Sequence, residues 1–193
     1  MPGTLRWSFK HVVHASWPAF ASAPVDAVVF TRSLHHIQPL QEAVDKSREV
    51  LRPAGTLLVE DFAFDGADQV TISWFLKILD SSAVRNLIVP IDGEFVTKLL
   101  ASKDPIAEWH QSHDHDLHTA TAMTQAVAGC CSIRDMQSVP YLYRYLVPVL
   151  PDTPEATAMV EEIFRDEARL GELGELMLIG RRIVGSPRER ATT

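Results

Sequence analysis

The sequence predicts an α/β chain whose mostly parallel sheet finishes in an antiparallel strand pair. Three observations predict it. Val25–Phe30 (VDAVVF) and Thr56–Asp61 (TLLVED) are short apolar runs of the kind that form strands covered on both faces. A helical pattern lies between them, and such a crossover makes the two strands parallel with a right-handed connection. Toward the C-terminus, Ser132–Val139 and Glu175–Val184 read as extended segments that pair antiparallel at the sheet edge.

Each element has its own local reason. Pro24 precedes the first strand, and the polar loop TRSLHHI (residues 31–37) follows it. Pro39 stands where a first helical residue belongs. Leu40, Ala43, Val44, Val50 and Leu51 then keep helical spacing, with charges on the opposite face. Arg52-Pro53-Ala54-Gly55 stops that helix before the next strand. Residues 67–87 read as a helix with Val70, Trp74, Ile78 and Leu79 along one stripe, and shorter helical pieces follow at Phe95–Leu100 and Ile106–His110. Thr119–Ala128 is helical, with Asp116 or Thr119 as its cap. Tyr141–Tyr145 reads as extended, which puts Tyr141, Tyr143 and Tyr145 on one face. Asp152-Thr153-Pro154-Glu155 supplies a cap, a proline and an acid at a helix start. That helix is expected to turn Met159, Val160, Ile163 and Phe164 inward.

Composition bounds the function. The 193 residues, 46% hydrophobic and 22% charged, fit one domain over residues 1–185 followed by a polar tail, 186–193, expected to fray. A net charge of −7 argues against nucleic-acid binding, which needs a basic face. No apolar run approaches the roughly 20 residues that span a bilayer. His14, Ser16 and Pro18 break the N-terminal apolar stretch short of a signal peptide. The two cysteines, Cys130 and Cys131, are adjacent, cannot form a disulfide framework and read as core residues of a cytoplasmic protein.

The order of motifs resembles a known family. VVFTRSLHHI followed by LRPAGTLLVEDF is similar to the middle motifs of class I S-adenosylmethionine-dependent methyltransferases. HDLHTATAM, PYLYRYL and the closing LIGRRIVG fit the end of such a domain, so the resemblance covers roughly residues 11–185. It implies a doubly wound, Rossmann-like sheet, S-adenosylmethionine as methyl donor and a small-molecule methyl acceptor. By the same resemblance Trp7–Ala15 matches the family's third strand, and Ser16 and Trp17 fall where the family contacts adenine. Ser16 stands where an Asp is common, and Trp17 would stack on the ring.

The departure from the family is equally plain. The Gly-rich turn that holds the cofactor's amino-acid tail is missing, and the nine glycines stand singly. The sheet is therefore expected to be incomplete, lacking the family's first two strands. Activity is expected to be impaired, and the strand Val25–Phe30 to present an open edge that invites self-association. The alternative is a non-catalytic remnant of the fold that binds or scaffolds.

Candidate chemistry gathers at the strand ends, where open α/β sheets bind ligands. His35 and His36 are the candidate catalytic pair, able to accept a proton from a hydroxyl or amine acceptor. Thr31 and Arg32 are placed to meet the cofactor's amino-acid end. Glu60 and Asp61 can hold a cofactor ammonium or a substrate, against the plainer reading of a solvated strand end or a cap. The run HQSHDHDLH (residues 110–118) is dense in ligand-type side chains but lacks a recognised metal spacing, so no metal is expected. It reads as a lid, with His118 toward the substrate.

Overall fold

The computed structural model describes residues 14–89, 94–113 and 115–188. The expected third strand, Trp7–Ala15, lies almost wholly outside the described residues, as does most of the tail.

Strand β1 (Val25–Thr31) runs into a 3-10 turn (Leu34–His36) and then helix α1 (Leu40–Val50). Strand β2 (Leu51–Phe62) returns parallel to β1. The expected break between helix and strand lies inside β2. Val25 pairs with Leu51 and Ala27 with Thr56, so Arg52–Gly55 bulge out opposite Asp26. Arg52 pairs with Asp26 across the bulge. A Cβ on Gly55 would lie 2.9 Å from both the Arg52 carbonyl oxygen and the Leu51 side chain, which is why glycine stands there.

Helix α2 (Gln69–Asp80) starts where Asp68 accepts the Thr71 amide at 2.8 Å. The helix expected over 67–87 divides at Ser81, whose extended backbone ends α2 and whose side chain caps α3 (Ser82–Arg85). Its buried stripe is Thr71, Ile72, Phe75 and Leu79, while Val70 is exposed. Helices α4 (Phe95–Ala101), α5 (Pro105–Ser112) and α6 (Ala120–Cys130) follow, the last capped by Thr119. Strand β3 (Cys131–Val139) leads to Tyr141–Tyr145, which is not extended. Leu142–Tyr145 form a 3-10 turn. Helix α7 (Pro154–Glu172) starts on Thr153 and Pro154 as the motif implies, although Phe164 faces solvent.

Strand β4 (Gly180–Pro187) begins five residues later than expected and reaches two residues past the expected domain end. The sheet order is β1-β2-β4-β3. Strand β1 is parallel to β2, and β4 is antiparallel to both β2 and β3. Three strands therefore point one way and β4 alone opposes them, inserted between its neighbours rather than at the edge. A Cβ on Gly180 would sit 2.6 Å from the Val139 carbonyl oxygen, so glycine permits this close approach.

The apolar core has two parts. Leu57 and Val59 of β2 pack with Val44 of α1 and with Met123 and Val127 of α6. Phe62 packs with Ile72 and Phe75 of α2, Trp109 of α5 and Ile163 of α7. Cys130 and Cys131 are buried and free, as core residues. Burial pushes the Cys130 thiol up, after the larger effect of its hydrogen bond to Cys131. Strand β1 departs from the expectation of two covered faces. Only Phe30 is buried, Val29 is 53% exposed, and among the described residues β2 is its sole strand partner.

Candidate functional site

The C-terminal ends of β1 and β2 open into a cavity of about 320 Å³, within the small end of the range for ligand sites. It is lined by the turn after β1, by α4 and α5, and by the tyrosine turn after β3.

Asp61 organises the floor. Its position on the inward face of β2, two residues after Val59, buries the carboxylate completely. There it accepts the backbone amides of Ser33 (3.2 Å), Leu34 (2.7 Å) and His35 (3.3 Å), which fixes the turn after β1. It also accepts the Phe62 amide at 2.8 Å, and His35 Nδ1 lies 2.5 Å from its other oxygen. Burial opposes ionisation, but the His35 contact and the backbone amides outweigh it and hold the Asp61 carboxyl below its usual range. With Nδ1–H spent on Asp61, the lone pair of His35 is on Nε2, and His35 lines the cavity. This is the geometry of a base oriented by a carboxylate.

Arg32, the first residue after β1, adopts a left-handed backbone (φ 53°), and its amide donates to the Glu60 carbonyl at 3.0 Å. Such a conformation costs about 1 kcal/mol or more outside glycine, and here it re-aims the chain at the cavity mouth.

The ring of His36 lies 4.0 Å from that of His35 and 6.0 Å from that of His115. Partial burial, then the neighbouring imidazoles of His35 and His115, lower its pKa. His113 donates Nδ1–H to the Trp109 carbonyl at 2.6 Å and accepts the Tyr145 hydroxyl on Nε2 at 2.9 Å. Burial lowers the His113 pKa and raises those of Tyr141 and Tyr145, so these groups stay neutral at pH 7. Phe62 stacks on Tyr141 at 4.6 Å and 12°, giving the cavity a flat aromatic wall.

The residues singled out by sequence divide accordingly. His35, His36 and Arg32 line the cavity, and Asp61 supports it from beneath, in the capping role that was the plainer alternative. Thr31 sits exposed at the end of β1. Glu60 does not line the cavity and is held by Arg144 and Arg182. His118 is not among the cavity's lining residues and clasps the loop. Its amide donates to the His35 carbonyl at 2.9 Å and its Nε2–H to the Ile37 carbonyl at 3.0 Å. Ser16 is exposed, and Trp17 is pinned through its indole N–H to the Ala43 carbonyl at 3.0 Å, with its ring edge-on to Phe30. Neither lines the cavity. Among the described residues no three His, Cys, Asp or Glu side chains converge to hold a metal.

Sequence reasoning missed Lys98, which lines the cavity from α4, and Glu167, a buried carboxylate on α7. Glu167 accepts the amides of Tyr141 (2.7 Å), Leu142 (3.1 Å) and Tyr143 (3.4 Å) and so holds the tyrosine turn. An acid four residues after Ile163, on the helix's apolar stripe, was the signal for it.

Comparison with known proteins gives one family match. Residues 8–59 match the family described as a methyltransferase domain, so that stretch carries the signature the resemblance rests on. No curated protein matches the chain significantly. Among solved structures it is similar to the PH0226 protein from Pyrococcus horikoshii OT3, at 12% identity and a TM-score of 0.40 over 88% of this chain and 55% of that one. It is also similar to the [4+2]-cyclase SpnF, at 13% identity and a TM-score of 0.42 over 91% of this chain and 54% of that one. The chain spans about half the length of these structures. No helix among the described residues is long and apolar enough to cross a membrane.

Proposed function

We propose that this chain forms the acceptor side of a class I S-adenosylmethionine-dependent methyltransferase that acts on a small molecule. The observation that carries the reading is the His35–Asp61 pair, set at the ends of two parallel strands beside an aromatic-walled cavity that His35 lines. S-adenosylmethionine would supply the methyl group as a sulfonium. Thr31 at the end of β1 and Arg32 just after it fit its amino-acid end by position, and of the two Arg32 lines the cavity, whereas Ser16 and Trp17 do not.

The chain's own residues would do the following. The aromatic wall of Phe62 and Tyr141 orients the acceptor. His35 Nε2 takes the proton from its hydroxyl or amine. Asp61, held ionised, stabilises the imidazolium that results. His36, on the same turn, narrows the cavity mouth and is the second candidate base. His118 fixes the backbone of that turn.

Impaired activity belongs to the same reading. These 193 residues hold no Gly-rich turn, and three or four missing backbone hydrogen bonds of about 1 kcal/mol each weaken donor binding by roughly two to three orders of magnitude. The free thiols of Cys130 and Cys131 support a reducing, cytoplasmic setting. Among the described residues β1 pairs on one side only, with β2, which supports self-association, and a stable monomer by light scattering would end that part.

The test is transfer of a labelled methyl group from S-adenosylmethionine to a panel of small phenols and amines, with His35→Asn beside the parent chain. Transfer that is measurable and falls about a hundredfold in His35→Asn supports the reading. Transfer unaffected by that change removes His35 as base. Failure of the donor to bind by calorimetry, together with no transfer, favours the non-catalytic alternative.

A further inference from the structure

We infer that the acceptor is a single-ring aromatic acid and that Lys98 reads its acidic group. The inference rests on the cavity's role as acceptor site and deepens it. Two cations line the cavity, Arg32 from the turn after β1 and Lys98 from α4, and the described lining residues include no carboxylate. Lys98 forms no ion pair with the described residues, and Asp61, the buried acid beneath the cavity, is fully occupied by its five donors. Among the described lining residues the positive charge has no carboxylate to match it, which favours an anion.

Its other surfaces narrow the class. Phe62 and Tyr141 stack, and Phe95 and Tyr145 pack at 4.7 Å beside them, so flat rings wall the space. Raised pKa values keep both tyrosines as hydroxyls, so neither adds negative charge, and with the Tyr145 proton given to His113 it is the Tyr141 hydroxyl that is left to donate. About 320 Å³ suits one ring with its substituents. Of the two cations, Arg32 adjoins the end of β1, where a donor's carboxylate would lie. Lys98 stands on α4 and is left for the acceptor. The acceptor's hydroxyl then faces His35, with its acid toward Lys98.

The test uses 4-hydroxybenzoate and its uncharged near-isostere 4-hydroxybenzamide, titrated calorimetrically into the full chain without donor. L-methionine is titrated separately as a probe for the donor's amino-acid end. The benzoate is expected to bind about tenfold more tightly than the amide, the worth of one charge-assisted contact. Lys98→Met should erase that gap, Lys98→Arg should restore it, and Arg32→Met should weaken methionine binding while the gap persists. Lys98 is exposed, so these changes leave the core intact. Equal binding of the two probes, a gap that survives Lys98→Met, or no binding of the benzoate at millimolar concentration would overturn the inference. Selective benzoate binding in a chain that neither binds the donor nor transfers a methyl group leaves Lys98 as the reader of an aromatic acid and removes that acid's role as methyl acceptor, so the two fail separately.

Discussion

Asp61 and Glu167 each receive three consecutive backbone amides at the start of a 3-10 turn, yet they respond to burial in opposite ways. Both are almost wholly buried, at 0% and 1% exposure. Asp61 has a histidine against it, and its pKa falls. Glu167 has backbone amides and a more distant Arg144, burial dominates, and its pKa rises. Three amides alone therefore do not balance the desolvation of a carboxylate here. An adjacent imidazole does. The lesson concerns the cavity directly, since one turn carries His35 and His36 and the other carries Tyr141 and Tyr145.

The comparison can be broken most strongly at Asp61. Asp61→Asn leaves His35 Nδ1 without its anionic partner and offers an amide to donors that need an acceptor. A loss of about 2 kcal/mol is expected, the usual scale for buried hydrogen bonds to a charged group, read as a lower denaturant midpoint with an unchanged slope. Under the proposed function, methyl transfer falls with it. A loss well under 1 kcal/mol would mean the pair is not formed.

Glu167→Gln should cost less, about 1 kcal/mol at neutral pH, because the parent carboxylate already bears an uncompensated burial cost. The pH dependence sharpens the contrast. Asp61 has a lowered folded pKa, so its contribution is complete above the ordinary carboxylate value of about 3.9 and is lost as pH falls through the folded value. Glu167 has a raised folded pKa, so its contribution is complete below about 4.3 and is lost as pH rises through the folded value. Melting temperatures across mildly acidic pH should therefore show a gain on acidification that Glu167→Gln abolishes. The steep loss at lower pH should persist in that variant. A Glu167→Gln chain with the parent's profile would contradict the assignment.

The smallest effect is expected at the tyrosine turn itself. Tyr145→Phe removes the hydroxyl that donates to His113 Nε2. Stability should drop by about 1 kcal/mol or less. The His113 pKa should move up toward its ordinary value, because a bond to the neutral ring's lone pair disfavours the imidazolium. An NMR titration of the histidine ring protons reads this, and an unmoved His113 resonance would show that the hydroxyl does not bond there.

Much of the fold was legible because its signals are local. Thr153-Pro154-Glu155 starts α7 and Thr119 caps α6 as their side-chain chemistry requires. The apolar runs at 25–30 and 56–61 form parallel neighbours. The bulge at Arg52–Gly55 was not legible, since its residues look like a helix stop and only the pairing of Val25 with Leu51 reveals a strand already begun. The tyrosine segment alternates as a strand would, but a carboxylate some 26 residues away folds it into a turn. The site was half legible. His35, His36 and Arg32 follow from position after a strand. The burial of Asp61 and Glu167 was marked by an acid on an apolar face, at a spacing of two in β2 and of four in α7. Lys98 carried no such mark, because an exposed lysine on a short helix looks like any solvated one.

The insertion of β4 between β2 and β3 sets an order on assembly. As a ribosome releases the chain, β2 and β3 emerge before β4, the strand that each pairs with in the sheet. Glu60 can meet Arg144 earlier, but its bond to Arg182 waits for a residue 122 positions further along. Both ladders that β4 makes thus wait for the last of these four strands, whose closure carries a large loop entropy. Until then β2 and β3 each lack the neighbour that β4 supplies, and such unpaired edges are open to pairing with the wrong partner.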